Sequence, residues 1–262
     1  MTWLANNWQQ VLGLAGSHLL LALPAILLSL VIALPIGRFA EQSPRIGRPL
    51  LGLTTLLYAI PALPLLIFVP AIFGFPLRSS ATLITVLTIY GVALMVRTVA
   101  DAFAAIDSET RRAAVAVGHS PRSLFWQVDF PLAVPMLLSG LRVVAVSTIG
   151  LVTIGALIGI PSLGLLLTDG FQRGITASVI TGLAATAVMA LLVDSVLLLV
   201  GRLLTPWERV GQSRTRRQPT WRLGSRRNLA VAPATWTPIS GTGDVGTSGV
   251  VVEPEPNTGR TQ

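Results

Sequence analysis

The sequence predicts an all-α integral membrane protein of about five transmembrane helices. Three observations carry this expectation. Of 262 residues, 52% are hydrophobic and 11% charged; the apolar residues gather in runs long enough to cross a bilayer; and the charges fall between those runs. The chain has no Cys, which excludes disulfides, thiolate metal sites and a Cys nucleophile. All 19 basic residues are Arg and the net charge is +8. That excess is a matter of topology and not of nucleic-acid binding, because much of it lies in the C-terminal tail.

Residues 1–17 carry Trp3 and Trp8 in a mildly polar setting, the pattern of an external segment at a membrane interface. No basic residue precedes the first apolar run, which argues against a cleaved signal peptide. Residues 18–36 form the first span; Pro24 and Pro35 are tolerated there as they would not be in a soluble helix. The second span, 50–73, contains Pro61, Pro64 and Pro70 and is expected to be kinked or unwound. A broken membrane helix needs protein or water over its backbone, so this span, with Tyr58, Pro61 and Pro64, is a candidate wall of a translocation path; packing alone also produces kinks. The third span, 81–99, carries Arg97 near its end.

Between the third and fourth spans, DSETRRAAVAVGHSPRSLFWQVDFPLAVP (107–135) begins polar and charged. Asp107 or Ser108 caps a helix over 109–117, Gly118 supplies the left-handed residue that ends it, and Ser120-Pro121 opens a second short helix before Pro131. The fourth span is 136–160, with Arg142 close to its start. A Gly-rich linker, 161–174, leads to the last span, 175–204. Asp194 lies inside it. An intramembrane carboxylate is either functional or paired with Arg142, Arg202 or a helix end.

Five spans put the two termini on opposite faces, and the Arg residues decide which. Arg78 and Arg173 stand alone on one side; every other Arg falls in 37–49, 97–142 or 201–262. The positive-inside rule therefore expects the N-terminus outside and both the 100–135 loop and the C-terminus in the cytoplasm. The domain reading is an external segment 1–17, a transmembrane domain 18–204 with its cytoplasmic loop 100–135, and a basic, disordered tail 205–262. The tail's Arg and Trp suit anionic lipid headgroups; nucleic acid is the competing partner.

The loop resembles the cytoplasmic signature of bacterial ABC importer permeases: Glu-Ala-Ala, three residues, Gly, nine residues and an Ile-x-Leu-Pro-like ending. Ala113, Ala114, Gly118, Val128, Phe130 and Pro131 fall on that spacing, with Arg112 where the family has Glu. An ordinary Ala-rich loop is the alternative. The likeness extends over residues 58–204 to the permeases of osmoprotectant importers for glycine betaine, carnitine and choline. It rests on YAIPALPLLIF (58–68), Arg97, PLAVP (131–135) running into SGLR (139–142), IGIPSLG (158–164) with Gly159 and Gly164, and Asp194. Ile160, Pro161 and Ser162 replace three small residues of that family, which bears on gating.

The resemblance implies a type I ABC importer permease fold in a multi-pass protein of the cytoplasmic membrane. It also implies a second permease chain, identical or similar, an ATP-binding subunit dimer that uses ATP and Mg, and an external substrate-binding protein. In that frame Arg112, Ala113, Ala114, Gly118, Val128, Phe130 and Pro131 face the ATPase, Tyr58, Pro61, Pro64, Gly159 and Gly164 serve the pathway or its gate, and Arg97, Arg142 and Asp194 are structural ions. The chain lacks a G-x-x-x-x-G-K-[ST] phosphate loop, so it is expected to bind no cofactor and to be no enzyme itself. Both outer loops are short, so the solute-binding domain is expected on another chain. A secondary transporter or channel would need more than Asp194 inside the spans, and a membrane enzyme would need a cluster that His18 and His119 do not form. An ABC permease for methionine or a taurine-like solute is the nearer rival.

Overall fold

The computed structural model describes residues 2–206. Every regular element among them is helical. α1 (Thr2–Gln42) is followed by α2 (Pro44–Ala59), α3 (Ala62–Phe73), α4 (Ser80–Ala104), α5 (Ser108–Ala116), α6 (Pro121–Leu124), α7 (Phe130–Val152), α8 (Gly164–Gln172) and α9 (Thr176–Leu204). A wide π-type turn, Phe125–Asp129, joins α6 to α7, and a 3₁₀ stretch, Thr153–Ile158, extends α7. Residues 207–262, which hold nearly all of the basic tail, lie outside the described residues.

Among the described residues, four helices are long and apolar enough to cross a membrane, and the α2–α3 pair makes a fifth span if it counts as one. At 41 residues α1 is about 60 Å long, roughly twice the hydrocarbon thickness. It runs from Thr2 without a break, so the expected interfacial segment and first span are one helix. It stops where Ser43 precedes Pro44, since a residue before Pro is pushed out of helical geometry. α2 and α3 meet at 109°. Ile60 and Pro61 are both extended at this corner, as the three prolines of the span lead one to expect. Gly74, at φ +72°, then ends α3.

The core forms around α4. Leu83, Val86, Met95, Val99 and Phe103 of α4 are buried against Ala22, Ala25 and Ala33 of α1 and Val144, Ala145 and Ile149 of α7. Small residues set how closely α1 and α4 approach. A Cβ on Gly37 would lie 2.5 Å from the Val99 Cβ, and one on Gly91 would lie 2.0 Å from the Ser29 Oγ. Without a hydrophobic drive between helices in lipid, such close backbone packing is what holds a membrane bundle together. The Ser29 hydroxyl adds bonds to the Ala25 carbonyl (2.6 Å) and across to the Thr88 carbonyl of α4 (3.3 Å).

The outward faces remain apolar: Leu20, Leu27 and Val31 of α1, Ile67 and Ile72 of α3, and Leu183, Leu191 and Val196 of α9 are all exposed. Water would not tolerate such a surface, and lipid covers it. One expectation is corrected. The 161–174 linker is not merely a connector, because Gly164–Gln172 folds as α8. Burying Leu166 and seating Gly170 against Ser178 and Val179 of the last span outweighs the weak helix propensity of its glycines.

Candidate functional site

The connection between α4 and α7 is narrower than the 100–135 loop read from sequence, since α4 continues to Ala104 and α7 begins at Phe130. The Asp107 carboxylate accepts the Glu109 amide (2.9 Å) and starts α5. At the other end Gly118 takes φ +100°, its amide reaches the Val115 carbonyl (3.0 Å) and the His119 amide reaches the Ala114 carbonyl (3.2 Å). This reciprocal pair satisfies the last carbonyls of the helix. Ser120 then caps α6 through the Ser123 amide (3.3 Å). Pro131 offers no N–H to the carbonyl four residues before it, and the backbone widens through 125–129 instead of keeping the α ladder.

No residue of α5 is buried. Ala113, Ala116 and Val117, spaced three and four residues apart, stand exposed on one side, Val117 at 82%, so this helix shows an uncovered apolar face, with Val115 exposed on the other. Arg112 folds back on its own helix, its guanidinium donating to the Ser108 carbonyl and hydroxyl (both 3.3 Å). Val128 and Phe130 are half-buried, and Phe130 and Pro131 line an apolar cleft with Leu30, Leu34 and Leu204.

An ionic knot fastens this segment to the spans, and sequence reading did not find it. Asp129, 1% exposed, accepts from Arg38 of α1 (2.6 Å) and from the Arg111 Nε of α5 (2.9 Å). Glu41 accepts from the same two arginines, at 2.9 and 3.3 Å. Arg111 also donates to the Phe103 carbonyl at the end of α4 (2.8 Å), and the Arg38 guanidinium lies 4.7 Å from the Phe103 ring centre. Two cations and two anions balance, as a buried group of this kind requires. The signal was present in principle: Glu41 and Asp129 belong to a set of only 11 acidic residues.

Arg142 and Asp194 meet in a two-pronged pair at 2.6 and 2.8 Å that ties α7 to α9. Among the described residues Arg97 reaches only Asp101, one turn on, at 3.9 Å, and both are exposed. His18, fully buried, bridges α1 to two other segments: its Nε2 donates to the Ile149 carbonyl (2.9 Å) and its Nδ1 accepts the Leu163 amide (3.3 Å). Those roles assign the neutral tautomer with hydrogen on Nε2.

Of the residues read as pathway-forming, Tyr58 and Pro61 line a cavity of about 560 Å³ at the corner between α2 and α3, together with Tyr90 of α4 and Ser147 and Ile154 beyond. Pro64 lies outside this lining. Gly159 and Gly164 are also elsewhere: Gly159 (φ +79°) ends the 3₁₀ stretch beside Arg78, and a Cβ on Gly164 would sit 2.1 Å from the Thr153 carbonyl oxygen. The Tyr90 hydroxyl donates to the Ile60 carbonyl, which the extended corner leaves outside both helices.

The bundle, with its bent second span and its helical α4–α7 connection, is a type I ABC importer permease fold. An inward-facing crystal structure of the MetNI methionine ABC transporter superposes at TM-score 0.65 and 21% identity, over 78% of this chain and 98% of that one. The family model for binding-protein-dependent transport system inner membrane components matches residues 25–210, and the chain belongs to that family. It is a multi-pass membrane protein and a transport component, not a catalytic one. An osmoprotectant import permease of Salmonella typhimurium is 28% identical over 210 residues, which is 78% of this chain and 96% of that protein. A choline transport permease of Bacillus subtilis is 27% identical over 79% of this chain and 90% of its own length. An ergothioneine transport permease/ergothioneine binding protein of Helicobacter pylori is 34% identical over 64% of this chain, which spans only 30% of that relative.

Proposed function

We propose that this chain is the permease subunit of an ATP-driven importer for a quaternary-ammonium osmoprotectant such as glycine betaine, choline or carnitine. The observation that carries the solute class is the match, over nearly their whole length, to permeases named for osmoprotectants and choline. The solute of the more identical relative, ergothioneine, bears the same trimethylammonium group. The methionine transporter shares the fold at 21% identity, and fold alone names no solute.

In this reading two permease chains enclose the path, an external binding protein delivers the solute, and two ATP-binding subunits, which hold ATP and Mg, lie in the cytoplasm. α5 is the docking helix. Its exposed Ala113, Ala116 and Val117 share a face and fit a groove of the ATP-binding subunit, and Arg112 in place of the usual Glu changes the charge offered there. A push on α5 passes through Arg111 to Asp129 and Glu41, and so to the ends of α7 and α1. Arg142 and Asp194 carry the movement of α7 to α9. The α2–α3 corner forms part of the path wall.

The test is uptake of radiolabelled glycine betaine, choline and carnitine by cells with and without this chain, at high and low osmolarity, with the ATP-binding subunit present. Uptake that needs both the chain and ATP is expected. No dependence for any of the three, with the complex assembled, would leave the permease and remove the solute class.

A further inference from the structure

The cavity at the α2–α3 corner holds a combination of groups that packing does not require. Tyr58 and Tyr90 meet edge to face, their ring centres 5.8 Å apart and their planes at 81°. Tyr90 is buried near the middle of α4, and Tyr58 is 44% exposed. The Tyr90 hydroxyl is occupied by the Ile60 carbonyl, so its ring is fixed in place and the bent span is pinned open. α2 ends at this point, and Pro61 brings no N–H to its final carbonyls. The last carbonyls of α2 and the first amides of α3 both lie at this corner. Ser147 adds a hydroxyl, and among the described residues no charged side chain lines the cavity.

These features favour one ligand chemistry. A carboxylate finds no charged partner among the lining residues, only the first amides of α3. A primary ammonium, which needs three acceptors, is poorly served. A trimethylammonium group offers no donor, spreads its charge over methyl groups, and is attracted by aromatic faces and carbonyl dipoles. The volume, about 560 Å³, is within the range of small-ligand pockets.

We infer that this corner is a low-affinity way-station for the trimethylammonium head of the solute as it crosses the membrane, with Tyr58 and Tyr90 supplying the ring faces. The inference rests on the proposed solute class and assigns it a place inside the permease. Low affinity is what the position demands, because a solute held tightly midway would not leave.

The experiment places Phe and then mono-, di- and trifluorinated phenylalanine at position 58, in the complete transporter with its ATP-binding subunits and binding protein in liposomes. Each fluorine weakens the ring's hold on a cation at nearly constant shape, and gel filtration checks that each complex assembles. Uptake of the trimethylammonium solute that wild type carries is expected to fall stepwise from Tyr58→Phe, by about tenfold at three fluorines. A flat series, or wild-type uptake by Tyr58→Leu, overturns the way-station. Failure of wild type to carry any trimethylammonium solute removes both this site and the solute class, whereas normal wild-type uptake with a flat series removes the site alone.

Discussion

Gly118 shows how much a single residue decides in this chain. Its φ of +100° lies where L-residues with a side chain are strained, and a Cβ there would meet nothing within 4 Å, so the demand comes wholly from the backbone. Forcing Leu into that region costs roughly 1–2 kcal/mol, enough to reopen the last turn of α5 and re-aim the exposed Val117 at its end. Gly118→Leu is accordingly expected to lower uptake about tenfold or more while membrane insertion stays normal. Gly118→Asn should keep a larger share, because Asn tolerates left-handed geometry. Insertion measured by fractionation and uptake measured in the same cells check this; wild-type uptake by the Leu variant would show that the end of α5 is not critical. The break at Gly118 was legible because glycine after a helical run has few other uses. The roles of His18 and Asp129 were not, since one residue's burial depends on partners more than ninety positions away.

At the scale of elements, the joint between α5 and the spans is a network of charges. Asp129 is almost fully enclosed between two guanidiniums, and removing its charge leaves an excess cation that costs on the order of 3–5 kcal/mol to keep buried. Asp129→Asn is expected to loosen α5 from α1 and α7, so that the complex still hydrolyses ATP but moves at most about a tenth of the solute per ATP. The paired exchange of Arg111→Asp with Asp129→Arg should recover part of that ratio. The solute-to-ATP ratio in proteoliposomes is the measurement; a variant that lowers transport and hydrolysis in equal proportion would make the knot a fold stabiliser and no transmitter. Elements were mostly legible in the apolar runs and their caps. The last span, 175–204, emerged within a residue of α9 and the third, 81–99, within five of α4, whereas α1 and α7 begin well before the starts read at 18 and 136; the prolines of the second span foretold its corner. α8 was missed because its glycines weaken helix propensity, and the burial of Leu166 that stabilises it is tertiary. The cavity was half legible. Tyr58 and Pro61 are close in sequence, whereas Tyr90 and Ser147 reach the corner only through the packing of α4 and α7.

Residues 2–206 form a bundle whose apolar exterior requires lipid, and the positions of the arginines set the orientation expected for it. Arg78 and Arg173 sit at one end of the bundle's connections, after α3 and after α8, whereas Arg38, Arg45, Arg111, Arg112 and Arg122 sit in the connections at the other. Arg crosses a membrane against the potential only at high cost, so the crowded end is expected in the cytoplasm with the N-terminus outside. The absence of Cys makes the test clean, because a single introduced Cys is the sole thiol in the chain. Phe171 and Val117 are both highly exposed, at 84% and 82%, and lie beyond the apolar stretches on opposite sides of this topology. In intact cells a membrane-impermeant maleimide is expected to label Phe171→Cys and spare Val117→Cys, with both labelled after the cells are opened. The reverse pattern would turn the molecule over and place α5 where no ATP-binding subunit could reach it. Because the proposed docking of α5 needs an ATP-binding subunit on the inner side, labelling of Val117→Cys from outside would undo that docking role as well as the orientation, so this one measurement bears on both.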